Sequence, residues 1–431
     1  MRLPAFMRRQ PPVALAEDLL AGPRDALAAL GARMGRSRLS AMPAGPAECA
    51  RFALPAAGEE AALACVILVL RVTRDGVTVR LADDDGAIQD HLYCVARDQA
   101  YTLGLFAEPY RATTLRVGHI TPASDAKVLD AACLTLRGDS LAPERLIPQR
   151  RLDETDAWPA DPYAEPGGED PLARLRDRVF KGLTRPARAT WLHDLGVLLE
   201  PNDEQSHCLM NWGLYEPESM CAMERRLGPG DVVVDVGANC GLYTLVAARA
   251  VGPAGRVVAL EPSPREFARL ERNVALNGFA HVRCLAAAAA ERAERVALHV
   301  ARPPFAGHNT IACRFGFDAV TLAETISVPA VPLDEVLRDE ARCDLLKLDI
   351  EGAELLALRG AEAALSRLRP AVLMEVNPAA LAAAGGSADE LVAWMTDRGY
   401  RLHDIDRRTG ALRHFAGPAG DATANVMALA G

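Results

Sequence analysis

A doubly wound α/β fold, a mostly parallel sheet with an antiparallel edge, is what the sequence predicts for the larger part of this chain, behind a small mainly-β domain. Three observations carry that. Val232–Val234 is a β-branched run without polar alternation, as in a strand buried on both faces of a parallel sheet, and it ends at Asp235 before Gly237 and Gly241. Leu242–Val251 follows as a run of good helix formers stopped by Gly252 and Pro253, and Val257–Leu260 then delivers Glu261 at its tip, which completes a βαβ crossover. Between about Cys49 and Gly138 the hydrophobic period is instead two, as where Val77, Val79 and Leu81 alternate with Thr78 and Arg80.

At 431 residues, 50% of them hydrophobic and 24% charged, the chain is globular and too long for one ordinary core. Residues 1–47 read as a helical segment with helices at Val13–Ala21 and Arg24–Gly35. Residues 48–150 read as a mainly-β accessory domain, a sandwich or barrel of six or so strands. Its cluster Asp83-Asp84-Asp85-Gly86 lacks the alternating ligand spacing of a calcium loop and reads as a polar hairpin turn. Residues 151–171 read as a linker: Leu152–Pro171 holds seven acids and four prolines with no periodicity.

Residues 172–431 hold the α/β module. Gly196–Glu200 and Ser206–Trp212 read as short strands, and Tyr215-Glu216-Pro217 opens a helix running to Leu227. After the βαβ unit, helix Pro264–Leu276 stops at Asn277-Gly278 and strand His281–Leu285 follows. The alanine run Ala286–Ala290 reads either as a cofactor-side loop with no bulk to crowd a flat ligand or as the start of a helix. Val296–Val331 breaks the alternation, an insertion placed to wall a substrate. Strand Asp344–Ile350 then carries Asp349 at its tip; helix Gly352–Leu368, strand Ala371–Val376, helix Ala388–Arg398 and closing strands ending at Asn425–Leu429 complete the sheet.

Composition excludes several classes. A net charge of -9 argues against a general nucleic-acid binder, which needs a basic face. The ten cysteines contain no C-x-x-C pair, so no zinc knuckle or redox motif is expected, and reduced thiols fit a cytoplasmic protein. Arg2, Arg8 and Arg9 begin like a signal peptide, but Glu17 and Asp18 interrupt the apolar region. The longest apolar run, Ala61–Leu70, is too short to span a bilayer, so no membrane insertion is expected.

The glycine turn decides the cofactor class. A dinucleotide loop wants G-x-G-x-x-G so that backbone approaches a pyrophosphate; here Asp235 takes the first position, which repels phosphate and suits a cationic or amine-bearing ligand. An acid at Glu261 is placed to accept hydrogen bonds from ribose hydroxyls. The pattern D-x-G-x-x-x-G followed by an acid resembles motifs I and II of class I S-adenosylmethionine (SAM) methyltransferases; an ordinary tight turn in a Rossmann-like dehydrogenase is the competing reading.

Further stretches sharpen the resemblance: YEP at Tyr215–Pro217, PGDVVVDVGANCG at Pro229–Gly241, GRVVALEPSP at Gly255–Pro264, LERNVALNG at Leu270–Gly278, VPLDEVL at Val331–Leu337, LLKLDIEGAE at Leu345–Glu354 and MEVN at Met374–Asn377. In this order they resemble the FkbM family of SAM-dependent methyltransferases over roughly residues 190–430; the N-terminal region resembles no family we recognise. The resemblance implies a Rossmann-like class I methyltransferase fold and methyl transfer from SAM to an oxygen, commonly a hydroxyl of a sugar, glycan or secondary metabolite. It implies that Asp235, Gly237, Asn239 and Gly241 line the amino-acid end of SAM, that Glu261 holds the ribose, and that Asp349 faces the transferred methyl.

A hydroxyl acceptor needs a base, and Asp349 and Glu351 are the first candidates, with His308 and His299 of the insertion behind them. Glu351 could instead favour the dipole of the helix that follows. Lys347, inside a buried strand, reads as a shielded or snorkelling side chain rather than a base. The reading adopted needs no metal, although Asp349, Glu375 and Asn377 would offer Mg²⁺ hard oxygens at adjacent strand tips. A small-molecule or glycan acceptor is expected, with no nucleic acid; the oligomeric state is not readable. An N- or C-methyltransferase, or a non-catalytic SAM- or glycan-binding protein, would share the same cofactor loop.

Overall fold

The computed structural model describes residues 37–44, 46–54, 61–83, 85, 87–97, 100–107, 114–137, 142–153, 170–303, 305–312, 322–415, 417, 420 and 422–431. The helices expected at Val13–Ala21 and Arg24–Gly35, and most of the linker expected at Leu152–Pro171, lie outside the described residues. Packing divides the chain into two compact units, Met1–Leu146 with Ala164–Gly182, and Ile147–Tyr163 with Leu183–Gly431.

The first unit holds two antiparallel sheets. One orders Ser37–Arg38, Asp125–Arg137, Ala61–Arg74 and Tyr101–Ala107; the other orders Ser40–Met42, Glu48–Ala53, Thr114–His119, Gly76–Ala82 and Ile88–Val95. Alternate residues of facing strands, among them Val66, Leu68 and Leu70 with Val77, Val79 and Leu81, meet in one buried core, which is why the period is two. The run Ala61–Leu70 lacks polar alternation because its other face, Cys65, Ile67 and Val69, is buried as well. Helix Pro171–Lys181 packs on that face where Gly104 lies opposite Ile67; a Cβ on Gly104 would stand 2.6 Å from the Pro171 Cβ. Arg174 of this helix pairs with Asp90 at 2.9 Å. The sequence reading begins the second module at residue 172, whereas by packing Ala164–Gly182 belongs with the first unit. Asp83 closes the turn between Gly76–Ala82 and Ile88–Val95, its carboxylate accepting from the Ala87 N–H at 2.7 Å.

The second unit is built on strands β1 Val232–Val236, β2 Arg256–Leu260, β3 Val282–Leu285, β4 Leu345–Leu348, β5 Ala371–Val376, β6 Tyr400–Ile405, β7 Leu412–His414 and β8 Ala424–Ala430. They lie in the order β3-β2-β1-β4-β5-β8-β6-β7. The first five are mutually parallel, and β8 runs antiparallel to both β5 and β6, the reversed edge that the sequence predicts. Every residue of β1 and of β4 is buried, the charged Asp235 and Lys347 included. From β1 the chain winds outward to β2 and β3, then returns to start β4 on the other side of β1. The loops after β1 and β4 therefore diverge, and a crevice opens at the carboxyl ends of these two central strands.

Three local expectations change. Ser206–Trp212 is part of helix Glu204–Trp212, started by Asp203, whose carboxylate accepts from the Ser206 N–H at 2.9 Å and pairs with Arg269; a short apolar run has no period strong enough to exclude a helix. The helix expected over Gly352–Leu368 is two, Glu354–Arg359 and Glu362–Leu368, parted at Gly360, where an added Cβ would stand 2.1 Å from the Ala290 carbonyl oxygen. Ala286–Ala290 is not a helix: Ala288–Ala289 is a strand pairing with Ala330–Val331.

Candidate active site

The turn after β1 holds three residues at positive φ, Gly237, Asn239 and Gly241, and the first two line the crevice. Gly237, at φ 76°, packs so close to the next strand that an added Cβ would stand 1.9 Å from the Asp349 carbonyl oxygen. Asn239 adopts φ 50°, a region Asn tolerates better than most residues. The Gly237 and Ala238 N–H groups both donate to the Leu260 carbonyl at the end of β2, and the Asn239 N–H donates to Glu261 Oε2 at 2.9 Å. Glu261 Oε1 accepts from the Ser263 N–H at 2.8 Å. Two backbone donors thus hold the carboxylate, and burial pushes its proton affinity up to about 7.

A cleft of about 490 Å³ opens over this turn, lined by Gly237, Asn239, Glu261, Ala287, Ala288 and Ala289, with Leu298 and Thr310 from the insertion among its other walls. It offers a flat apolar slot beside one carboxylate. Ala287, Ala288 and Ala289 of the alanine segment thus form one wall of this slot.

Asp349, just past β4, lines this cleft and a second one of about 1050 Å³. The second cleft is acidic: Glu204, Glu216, Asp349, Glu351 and Glu375 line it, with Lys347 and His308 as its cationic or protonatable groups. Lys347 Nζ lies 3.2 Å from Asp349 Oδ2 and 3.6 Å from Asp235 Oδ1, and 4.6 Å from the centre of the Tyr243 ring. Burial alone would lower its proton affinity, but the charges of Asp349, Asp235 and Glu216 raise it, so it is a fixed cation and no base. His308 Nδ1 lies 3.3 Å from Glu351 Oε1, and that bond raises the histidine above its ordinary range. Burial and then the Asp349 charge push Glu375 well above the usual carboxylate value. Asp349, Glu351 and Glu375 each bring an oxygen within 4.8 Å of the others, a spacing a hard divalent cation could bridge. Asn377 lines the same cleft, but its side-chain oxygen caps helix Pro378–Ala383 through the Ala380 N–H.

Of the predicted site residues, Gly237, Asn239, Glu261, Asp349, Glu351 and His308 come together here. Asp235 does not reach the surface of either cleft: it is 1% exposed, bonded to the Thr244 hydroxyl at 2.6 Å beneath the turn. Gly241 also lies back from the clefts, where an added Cβ would meet Leu270 Cδ1 at 2.7 Å, so its part is helix packing. His299 sits away on the insertion's antiparallel pair, bonded to Thr325 at 2.9 Å. Glu351 does not cap the helix that follows, which has no side-chain cap; it faces His308, while Glu354 accepts from the Ile350 and Gly352 N–H groups of the turn before the helix. Glu216 and Tyr243 are site residues that sequence reasoning missed, although YEP at Tyr215–Pro217 was itself a signal.

Residues 235–402 match the methyltransferase FkbM domain. This segment is an FkbM methyltransferase domain. The chain is 30% identical over 161 residues to methyltransferase sdnD of Sordaria araneosa, covering 30% of this chain and 60% of that one. It is 32% identical over 211 residues to the AMB antimetabolite synthetase AmbE of Pseudomonas aeruginosa, covering 41% and 10%. The chain thus spans less than two thirds of either relative. Among solved structures, methyltransferase FkbM from Methylobacillus flagellatus KT is similar at 20% identity and a TM-score of 0.31, over 47% of this chain and 44% of that one. No helix among the described residues is long and apolar enough to cross a membrane.

Proposed function

We propose that the domain transfers a methyl group from SAM to a hydroxyl of a sugar, glycan or secondary metabolite. One observation carries the reading: Asp349 stands at the junction of a cleft suited to a nucleoside and an acid-lined cleft large enough for an acceptor. The residues present fit SAM. Ala287–Ala289 leave room for a flat base, and the buried Glu261 carboxylate has lone pairs left for ribose hydroxyls. When bound, SAM supplies an electrophilic methyl on a sulfonium. The chain's own part is to align an oxygen with that methyl and remove its proton. Lys347 holds Asp349 Oδ2, which leaves Oδ1 to accept the hydroxyl proton. Glu351 keeps His308 protonated to higher pH than a free histidine, so this pair serves better to hold the acceptor oxygen than to deprotonate it.

An acidic cleft disfavours phosphorylated or nucleic-acid acceptors, since each added anion meets like charge. The relative that makes an antimetabolite is in keeping with a secondary-metabolite acceptor. The test is to incubate the protein with labelled SAM and candidate glycans, sugars, lipids and metabolites and to find the label by mass spectrometry. Label on a hydroxyl supports the reading; label on nitrogen or carbon moves the acceptor class; SAM binding without transfer to any acceptor favours a binding protein.

A further inference from the structure

Glu216 stands at φ 39°, ψ 56°, directly before Pro217. A residue that precedes proline is normally pushed to extended backbone, and a side chain at such a φ is strained, so something must hold Glu216 there. The turn sets its carboxylate against the second cleft, next to the loop that the two clefts share. Its Oε2 accepts from the Tyr243 hydroxyl at 2.6 Å, while Oε1 has no protein partner among the described residues.

The surroundings hold too little positive charge. Three carboxylates, Asp235, Asp349 and Glu216, act on the single ammonium of Lys347. Asp235 Oδ1 is buried without a hydrogen bond, so Lys347 already serves more acid than it can satisfy. Burial and the Asp349 charge push Glu216 up to about 7, and a cation placed beside it would offset both. Opposite polarity lies alongside. Helix Leu242–Val251 begins at Gly241 without a side-chain cap, and its first residues, Leu242 and Tyr243, line the same cleft. Uncapped N–H groups at a helix start favour an anion. An acid on one side and a helix N-terminus on the other suit a zwitterion in one orientation.

We propose that Glu216 binds the α-ammonium of the cofactor's amino-acid end, whose carboxylate faces the N-terminus of helix Leu242–Val251. This rests on the reading of the domain as SAM-dependent. Glu216 is then a cofactor-charge reader, and its backbone strain is maintained by the turn that aims it.

The test is calorimetric, with S-adenosylhomocysteine, its deaminated analogue and 5′-methylthioadenosine as probes on the full chain. Wild type should bind S-adenosylhomocysteine about tenfold to a hundredfold more tightly than the deaminated analogue, the scale of a charge-assisted hydrogen bond. Glu216→Gln keeps an acceptor for Tyr243 and should abolish that preference while binding 5′-methylthioadenosine as wild type does. Tyr243→Phe, which spares the carboxylate, should retain the preference. Equal binding of the two homocysteine ligands by wild type overturns the proposal without any variant, and so does a full preference in Glu216→Gln. Wild type that binds none of the three probes sinks the SAM reading itself, and this proposal with it.

Discussion

Gly237→Ala tests whether the turn after β1 and the tip of β4 form one unit. Alanine there suffers twice. Its φ of 76° costs a side-chain-bearing residue about 1–2 kcal/mol, and its Cβ would stand 1.9 Å from the Asp349 carbonyl oxygen and 2.9 Å from Ile350 Cγ2. Backbone cannot give way as a flexible side chain does, so relieving the overlap adds about 1–3 kcal/mol. Gly278→Ala is the control: φ is 65° with nothing within 4 Å of the added carbon, so only the conformational cost applies. Denaturation should show Gly237→Ala less stable than Gly278→Ala by about 1–3 kcal/mol. Because the clash is with Asp349 itself, the two clefts must part where they join, and affinity for S-adenosylhomocysteine should fall at least about tenfold, while Gly278→Ala binds normally. Equal destabilisation of the two variants with unchanged affinity would refute the argument.

Three further outcomes are expected. Asp349→Asn should bind S-adenosylhomocysteine within a few-fold of wild type and lose about a hundredfold in turnover on the identified acceptor, the scale of lost general-base assistance; full turnover would return the proton to the histidine or to Glu216. Glu354 is raised from 4.5 to about 7 by burial, so its neutral form is favoured by folding. Its contribution is complete below the unfolded value and is lost as pH rises through about 7, roughly 3 kcal/mol at most, and denaturation from pH 5 to 8 should show a shallower decline in Glu354→Gln. Turnover should survive exhaustive chelation; a loss restored by Mg²⁺ and absent in Glu375→Gln would show that Asp349, Glu351 and Glu375 act as a cation site.

The fold of the second unit was legible because its strands obey the simplest rule. Val232–Val236 and Leu345–Leu348 are buried on both faces, so their sequences are apolar apart from Asp235 and Lys347, which pair with each other. What failed was local structure decided by distant partners. Glu204–Trp212 is a helix because Asp203 caps it and pairs with Arg269 in another helix, a contact that no nine-residue window contains. The break at Gly360 follows from the closeness of Ala290, and helix Pro171–Lys181 belongs with the first unit because Gly104 lets Pro171 approach. In both cases the glycine was visible and its neighbour was not.

The site divides along a different line. Position at a strand tip was enough to bring Glu261 and Asp349 to the crevice, because the topology aims every carboxyl end of the central strands that way. Depth was not legible. Asp235 and Gly237 are two residues apart in one motif, yet one is sealed under the turn against Thr244 and the other forms the floor of both clefts. Strand alternation would put residues two apart on one face, but the strand ends at Val236, and the turn that follows takes Gly237 away from the face that buries Asp235. Asp235 reaches the crevice at one remove, through Lys347, which it shares with Asp349. Glu216 shows the converse. Its motif precedes β1 and has no place in a strand-tip argument, so only the backbone strain before Pro217 and the bond to Tyr243 mark its place on the cleft.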